Sequence, residues 1–592
     1  VAVKGIQHSR SARRANYPIS VNAKQATPAP VAPAIVRLAG RAAPRASGSN
    51  IAVMRRRFCA IFADGARLLI KRIDLVPVHE PHSKPVDPVL RLLGVSGSGA
   101  DVSITGVAYD SRLVRSGSAF VCIPGQQVDG NQFIDEAIRN GASCVFSEIP
   151  HRGFPVPVFQ VEDTRLALAL LADHFYSHPS HRLRLLGVTG TNGKTTTTHL
   201  IEHTLNHAGK KTGLIGTLGA RCPGEPGYEN IKHTTPQSSD LHRILYRLVE
   251  SGCSHVAMEV SSHALVQKRI AGCHFAVACL TNISQDHLDF HQTMEHYWQA
   301  KRRLFAELGD SVHKSKFAVV NADDVLAGEF LKAVGPGISK LTYGWAAGAD
   351  THVVSADFDF GGMRVSLVTP GGPLEFRAKL AGRFNVYNLM AAVTICIVEG
   401  VDPGTVAEAV EQFAGVAGRF ELVGLDSGAE PLCIVDYAHT PDGLENVLTT
   451  ARCLVPEGGK LIVVFGCGGD RDPSKRPQMG QIAETTADEV IVTSDNPRSE
   501  DPQQIIANIL TGIKRTAKVR VEPDRARAIR QAVGGACERD VVVVAGKGHE
   551  NYQILADRTI PFDDRTEVRL ALEQRAKALE EAGASSGATA KP

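Results

Sequence analysis

RLLGVTGTNGKTTTTHL, residues 184–200, reads as three pieces in a row: an apolar run, a turn built on Gly190 and Gly193, and the start of a helix. A strand that empties through a glycine loop into a helix is a phosphate cradle, because glycines let the backbone curl until its N–H groups face phosphate oxygens. Thr191 and Asn192 lie inside the loop and Thr196 follows it. Lys194 supplies a cation, and the Thr195 hydroxyl is a natural ligand for Mg²⁺. The spacing departs from strict G-x-x-x-x-G-K-[ST], since position 188 is Val with Gly187 and Gly190 on either side. The competing reading is a glycine turn that happens to precede a helix.

Outward from this unit, short β-rich runs recur at 212–219, 255–260, 275–282, 433–437, 460–466, 489–495 and 540–548. Amphipathic segments separate them to about residue 575, which predicts an α/β chain. Most of these runs end in a polar or glycine-rich cluster. Open parallel sheets bind ligands beyond the carboxyl ends of their strands, so those clusters are where chemistry is expected.

The remainder of the sequence limits the options. With 592 residues the chain is long enough for several domains. Its net charge is +3, yet residues 1–63 hold eleven Lys or Arg and no acid, so the rest is net negative and no nucleic-acid partner is expected for it. That basic stretch matches either an organellar transit peptide or a start site read too far upstream of Met54. Twelve cysteines are scattered without a C-x-x-C pair, as expected of reduced thiols in a cytoplasm. No run reaches the length of a spanning helix, and no membrane association is expected.

Several strand ends carry titratable groups. HVAMEVSSHALVQKR (255–269) places Glu259 at a carboxyl end, and TNISQDHLDFH (281–291) follows another with Asp286 and His287. Such carboxylates near a phosphate loop can hold a metal that bridges nucleotide oxygens. His287 and His291 have i, i+4 spacing, but HLDFH lacks the Glu of a zinc H-E-x-x-H helix. Plain helix capping is the bland alternative. In TMEHYWQAKRRLFAEL (293–308) Lys301 shares a helix face with Met294, Tyr297, Trp298, Phe305 and Leu308. Spacing alone leaves two readings: a snorkelling stem, or an amine that desolvation makes neutral and nucleophilic toward carbon dioxide.

In order along the chain, TGTNGKTTT, HTTP, MEVSSHALVQKR, TNISQDHLDFH and QAKRRLF, then GRFNVYNLMAA, GRFE, VDYAHTPDGLENVL, GCGGDRDPSKRP, SDNPR and AGKGHE resemble the Mur ligase family, the peptidoglycan amide-bond ligases. Their content is most similar to the members that add meso-2,6-diaminopimelate, across roughly residues 88–575. Composition predicts a basic, disordered extension at 1–85, and the resemblance implies a small α/β uridine-binding domain at 86–180 and a central ATP-binding P-loop domain with a parallel sheet at 181–420. A Rossmann-like amino-acid domain at 421–575 and a flexible tail at 576–592 complete the expectation.

The same resemblance implies an ATP- and Mg²⁺-dependent ligase acting on UDP-N-acetylmuramoyl-L-alanyl-D-glutamate and diaminopimelate as a bacterial cytoplasmic monomer. Asn388 and Arg419 match nucleotide-contacting positions and join the loop residues. Thr234, Thr235, Ser261, Gln267 and Arg269 match positions that bind the UDP substrate, as do Ser111 and the turn Gln126, Gln127, Val128. Glu259, His287 and Thr195 match metal ligands, and Lys301 matches a lysine carbamoylated in the family. Arg471, Asp495, Asn496, Pro497, Arg498, Gly546 and Glu550 match diaminopimelate contacts. GCGGDR fails the dinucleotide pattern because position 471 is Arg. A lysine-adding relative, folylpolyglutamate synthase and a non-catalytic nucleotide-binding homologue are the rivals.

Overall fold

The structure is a computed structural model describing residues 82–587, apart from 96–100, 126–127, 226, 360–361, 425–430 and 516–517. Most of the basic extension and the contacts expected at Gln126 and Gln127 therefore lie outside the described residues. A short ribbon opens the described chain, β1 (Lys84–Pro85) pairing antiparallel with β2 (Ser103–Ile104). A four-stranded parallel sheet follows in the order β3 (Gly106–Ala108), β4 (Ser118–Val121), β5 (Cys144–Ser147), β6 (Val158–Gln160). Apolar side chains cover both of its faces, around Phe146 and Phe175 on one and Phe120 and Val145 on the other.

The central sheet has ten strands. They are β7 (Arg184–Thr189), β8 (Thr212–Gly216), β9 (Gly219–Arg221), β10 (His255–Glu259), β11 (Phe275–Leu280), β12 (Phe317–Asn321), β13 (Ser339–Gly344), β14 (Thr351–Asp359), β15 (Gly362–Thr369) and β16 (Gly372–Ala378). Across the sheet the order is β16-β15-β14-β13-β12-β11-β7-β10-β8-β9. From β14 to β8 every pairing is parallel, with Glu259 opposite Val188 and Leu280 opposite both Thr189 and Val320. The carboxyl ends of β10, β7, β11 and β12 are thus level. The chain runs from β7 to β8 and β10 on one side, then to β11, β12 and β13 on the other, so β7 lies where the winding reverses. Such a switch point leaves a crevice at the strand ends. The antiparallel hairpins β14–β16 and β8–β9 are additions to the parallel sheet that the sequence suggested. Two cores flank this sheet, as a mostly parallel sheet requires.

A third sheet orders β17 (Glu421–Val423), β18 (Leu432–Asp436), β22 (Val541–Ala545), β19 (Leu461–Phe465), β20 (Glu489–Val492) and β21 (Val519–Val521), parallel except for β17. It too is covered on both faces. A ribbon of β23 (Tyr552–Ile554) and β24 (Thr559–Pro561) lies beyond its edge.

Two expected boundaries move. Lys84–Pro85, assigned to the disordered extension, pair with Ser103–Ile104, and the next residue, Val86, is fully buried with its N–H on the Val102 carbonyl. The helix Asp564–Gly587 runs through residue 576, where a flexible tail was expected. Its Ala, Glu, Lys and Leu are strong helix formers, which outweighs the approach of the Gly- and Ser-rich end. Among the described residues no helix is long and apolar enough to cross a membrane.

Candidate active site

The phosphate loop leaves β7 and feeds the helix Lys194–His207. Gly190 and Gly193 hold φ of 145° and 85°, and a Cβ on them would meet Thr281 Oγ1 at 1.9 Å and Asn388 Oδ1 at 2.3 Å. Conformation and space both demand glycine there. Thr191 Oγ1 lies 3.1 Å from the Ser284 carbonyl and 3.0 Å from Tyr297 OH, tying the loop to two other elements. Asn192 donates its side-chain amide to Asp442 of the third sheet's first helix, Pro441–Cys453. Lys194 Nζ donates to the Gly190 and Thr191 carbonyls at 2.9 and 2.8 Å. Burial lowers its pKa against the opposing pull of Glu259 and Asp286. Thr195 and Thr196 are buried, and Arg419 donates to Thr195 Oγ1 at 3.1 Å.

Glu259 is wholly buried at the end of β10. Its carboxylate accepts from the Thr217 amide at 2.8 Å and the Thr217 hydroxyl at 3.0 Å. Among the described residues no cationic side chain lies within ion-pair range of it. Beyond β11, His287 takes a left-handed φ of 55°, an uncommon conformation for a residue with a side chain. Its ring lies 3.2 Å from Asp286, and burial pushes its pKa down to about 3. Burial would raise Asp286, but His287, His439, Lys475 and Lys194 together hold that carboxyl well below its usual range.

Lys301 lies on the helix Met294–Glu307, which starts at Thr293, whose side chain accepts from the His296 N–H. This lysine is 1% exposed and donates to the Gly190 carbonyl at 2.7 Å. Snorkelling is therefore not what it does. Burial first, and then Lys194, drive its pKa well below the ordinary lysine value. Met294 and Trp298 are only half-buried, whereas Leu304, which the sequence reading passed over, is in the core.

These groups line one cavity of about 510 Å³. Residues 191–196, Thr234, Glu259, Ser261, His287, Lys301, Asn388 and Arg419 all reach it, with Asp436–His439 from the end of β18 closing the far side. Burial raises Asp436 to about 6, against the pull of Arg419. Thr235, Gln267 and Arg269 form a knot beside it. Arg269 donates to the Thr235 carbonyl at 2.8 Å and to Gln267 Oε1 at 2.7 Å, and Thr235 donates to the Glu259 carbonyl. Arg269 is buried on neutral acceptors, and burial lowers it to about 10, so it remains a cation at neutral pH. Ser111 lies apart, in a helical turn beside the four-stranded sheet, donating to Glu136 of the helix Ile134–Arg139 at 2.8 Å, and Val128 is exposed.

The residues assigned to an amino acid do not line the cavity but gather on the neighbouring edge of the third sheet. Asp495, Asn496 and Pro497 are buried beyond β20, and Gly546 packs on Asp495. Arg498 has φ of 52° and donates to the Gly469 carbonyl at 2.7 Å. Among the described residues no carboxylate lies within ion-pair range of Arg498; nearby Glu500 pairs instead with Arg476 at 2.8 Å. Arg471 is exposed. Gln285 bridges this edge to the cavity loop through Asp472 and Ser474. Sequence reasoning missed Tyr297 as a loop partner, Asp442, and Lys547. Tyr297 reads as an ordinary core aromatic, and the other two acquire their roles only when distant segments meet. No group of three or more His, Cys, Asp or Glu that could hold a metal is found among the described residues, so a metal here would also need hydroxyl or modified ligands.

Three family patterns match the chain: the Mur ligase family catalytic domain over residues 103–176, the Mur ligase middle domain over 188–396, and the Mur ligase glutamate ligase domain over 418–548. A protein of Geobacillus thermodenitrificans named UDP-N-acetylmuramoyl-L-alanyl-D-glutamate–2,6-diaminopimelate ligase is 47% identical over 81% of this chain and 96% of its own. A protein of the same name from Synechococcus elongatus is 48% identical over 81% of this chain and 96% of its own. A solved structure of a ligase of that name superposes with a TM-score of 0.58 at 34% identity, covering 81% of this chain and 97% of the other.

Proposed function

The chain belongs to the Mur ligase family, and we propose that it is an ATP-dependent ligase adding meso-2,6-diaminopimelate to the D-glutamate γ-carboxylate of UDP-N-acetylmuramoyl-L-alanyl-D-glutamate. The observation that carries this reading is the meeting of a phosphate loop with a polar edge of the third sheet, bridged by Gln285 and Asp442.

A free carboxylate is a poor electrophile. Transfer of the γ-phosphoryl group to it gives an acyl phosphate and ADP; the amine then attacks the carbonyl carbon, and phosphate leaves as the amide forms. Lys194 and the loop N–H groups offset the charge spread over the transferring phosphoryl group, so most of the protein's contribution is positioning and electrostatics. Arg419 and Asn388 hold the nucleotide. Thr234, Thr235, Ser261, Gln267 and Arg269 hold the UDP substrate, with Ser111 at its uridine end. Arg471, Asp495, Asn496, Arg498, Gly546 and Glu550 hold diaminopimelate.

Glu259 supports a Mg²⁺ site, because a fully buried carboxylate satisfied by neutral donors has room in its charge balance for a cation. Thr195, Glu259, His287 and a carbamate on Lys301 would hold the ion, which supplies charge neutralisation at the phosphates. A neutral Lys301 amine adds to carbon dioxide and releases a proton, leaving an anion at a position where an ammonium is disfavoured. Nucleotide-linked substrates suit work in the cytoplasm, and a site completed within one chain suits a monomer. Incubating the protein with ATP, Mg²⁺, the UDP dipeptide and either diaminopimelate or lysine tests the reading. Equimolar UDP-tripeptide and ADP with diaminopimelate are expected; no product with it would refute the reading.

A further inference from the structure

Lys547 is a lysine with no exposed surface, in a glycine turn just beyond β22. Its ammonium donates to Glu550 Oε2 at 2.8 Å and to Asn496 Oδ1 at 3.1 Å, and lies 5.5 Å from the centre of the Tyr552 ring. Asn496 Oδ1 also accepts from the Ile554 N–H at 2.9 Å, while its Nδ2 donates to Glu550 Oε2 at 2.8 Å. Two donors on one oxygen leave that amide a single orientation. They also concentrate both bonds to Glu550 on one carboxylate oxygen. The same strand, β23, accepts the Arg498 N–H at the Ile554 carbonyl, so the left-handed Arg498 backbone is sewn to this network.

We propose that Lys547 is a positioning residue for the incoming amino acid: it holds the Asn496 amide and balances the Glu550 charge, so that this carboxylate is preset in the network to which the Arg498 backbone is also bound. An amino-acid end carries an ammonium and a carboxylate together, and an acid and a guanidinium whose segments are tied through Asn496 and Ile554 offer one partner for each. Removing Lys547 leaves the Asn496 oxygen held by the Ile554 N–H alone and Glu550 with one neutral donor in a half-buried place. The proposal rests on the functional reading above and confines Lys547 to the second half-reaction, since its bonds reach no phosphate-loop residue.

The test uses the full-length protein. Ligation kinetics with meso-diaminopimelate are measured alongside the partial reaction, isotope exchange between ADP and ATP that depends on the UDP dipeptide with no amino acid present. Lys547→Met should raise KM for diaminopimelate at least tenfold while KM for ATP and for the UDP dipeptide stays within twofold and the partial reaction within threefold. Lys547→Gln, which keeps a donor toward Asn496 but no charge, should show a smaller rise in the same KM. If Lys547→Met does not fold, as judged by its melting, Lys547→Gln decides the matter on the same criteria. An unchanged KM for diaminopimelate, or loss of the partial reaction in step with ligation, overturns the proposal. A parent that makes no product with diaminopimelate overturns the functional reading and this inference together; a ligating parent whose variants keep its KM overturns the inference alone.

Discussion

Lys301 stands where a cation is penalised twice, by burial and by the charge of Lys194. Conversion to a carbamate turns the repulsion from Lys194 into attraction, so Lys301→Ala should leave little ligation, and short carboxylic acids should restore part of it by refilling the anion's place. Titrating acetate or formate into the variant measures this; a bare amine seen in a metal-bound, active protein would argue the other way. Lys194→Ala or Thr195→Ala should cut kcat about a hundredfold or more without lowering the melting temperature much, since neither side chain fills a core. Activity within tenfold of the parent would remove the phosphate-loop assignment. Lys301 was legible as a lysine on an apolar face. Its bond to the Gly190 carbonyl was not, because that pairing joins positions more than a hundred residues apart. Lys547 gave no sequence signal at all, since a lysine between two glycines reads as an exposed turn.

The strand-loop-helix unit around residues 184–207 was readable because its parts are contiguous: periodicity gives the strand, glycines the turn, and the missing side-chain cap at Gly193 is itself a phosphate-loop trait. Gly193→Ala tests the element. At φ of 85° a Cβ is strained, and it would push against Asn388 Oδ1. The variant should lose about 1 to 3 kcal/mol of stability and bind ATP more weakly, read by thermal melts with and without nucleotide. A variant that melts and binds like the parent would show that the loop tolerates a side chain. The antiparallel strands β14–β16 escaped notice for the opposite reason. In β15 and β16 burial alternates along the strand, and β14 is mostly exposed or half-buried, so no run of apolar residues marks them.

For the molecule as a whole, what matters is that two parallel sheets turn their carboxyl ends toward one region, a long-range fact that no local pattern encodes. Titration offers one global test. His199, His242 and His549 have pKa values lowered by burial, to about 4 for the first and about 3 for the last. Unfolded, each takes a proton near 6.5, so between that pH and the native values the unfolded chain binds more protons. Their stability contribution is complete above about 6.5 and fades as pH falls, so the melting temperature should drop between pH 7 and pH 5; a flat profile would mean these rings are hydrated. In the proposed reaction Arg498 decides which amino acid is joined. Arg498 has carbonyl partners and no carboxylate in ion-pair range among the described residues, which suits a guanidinium that grips the extra carboxylate by which diaminopimelate differs from lysine. Losing such a half-buried pair costs about 2 to 4 kcal/mol, roughly 30- to 1,000-fold. The decisive measurement is kcat/KM for meso-diaminopimelate and for lysine in the parent and in Arg498→Ala. The parent should favour diaminopimelate by that margin and the variant should lose most of the preference. A variant that keeps the parent's ratio would place the selectivity elsewhere and contradict the assignment.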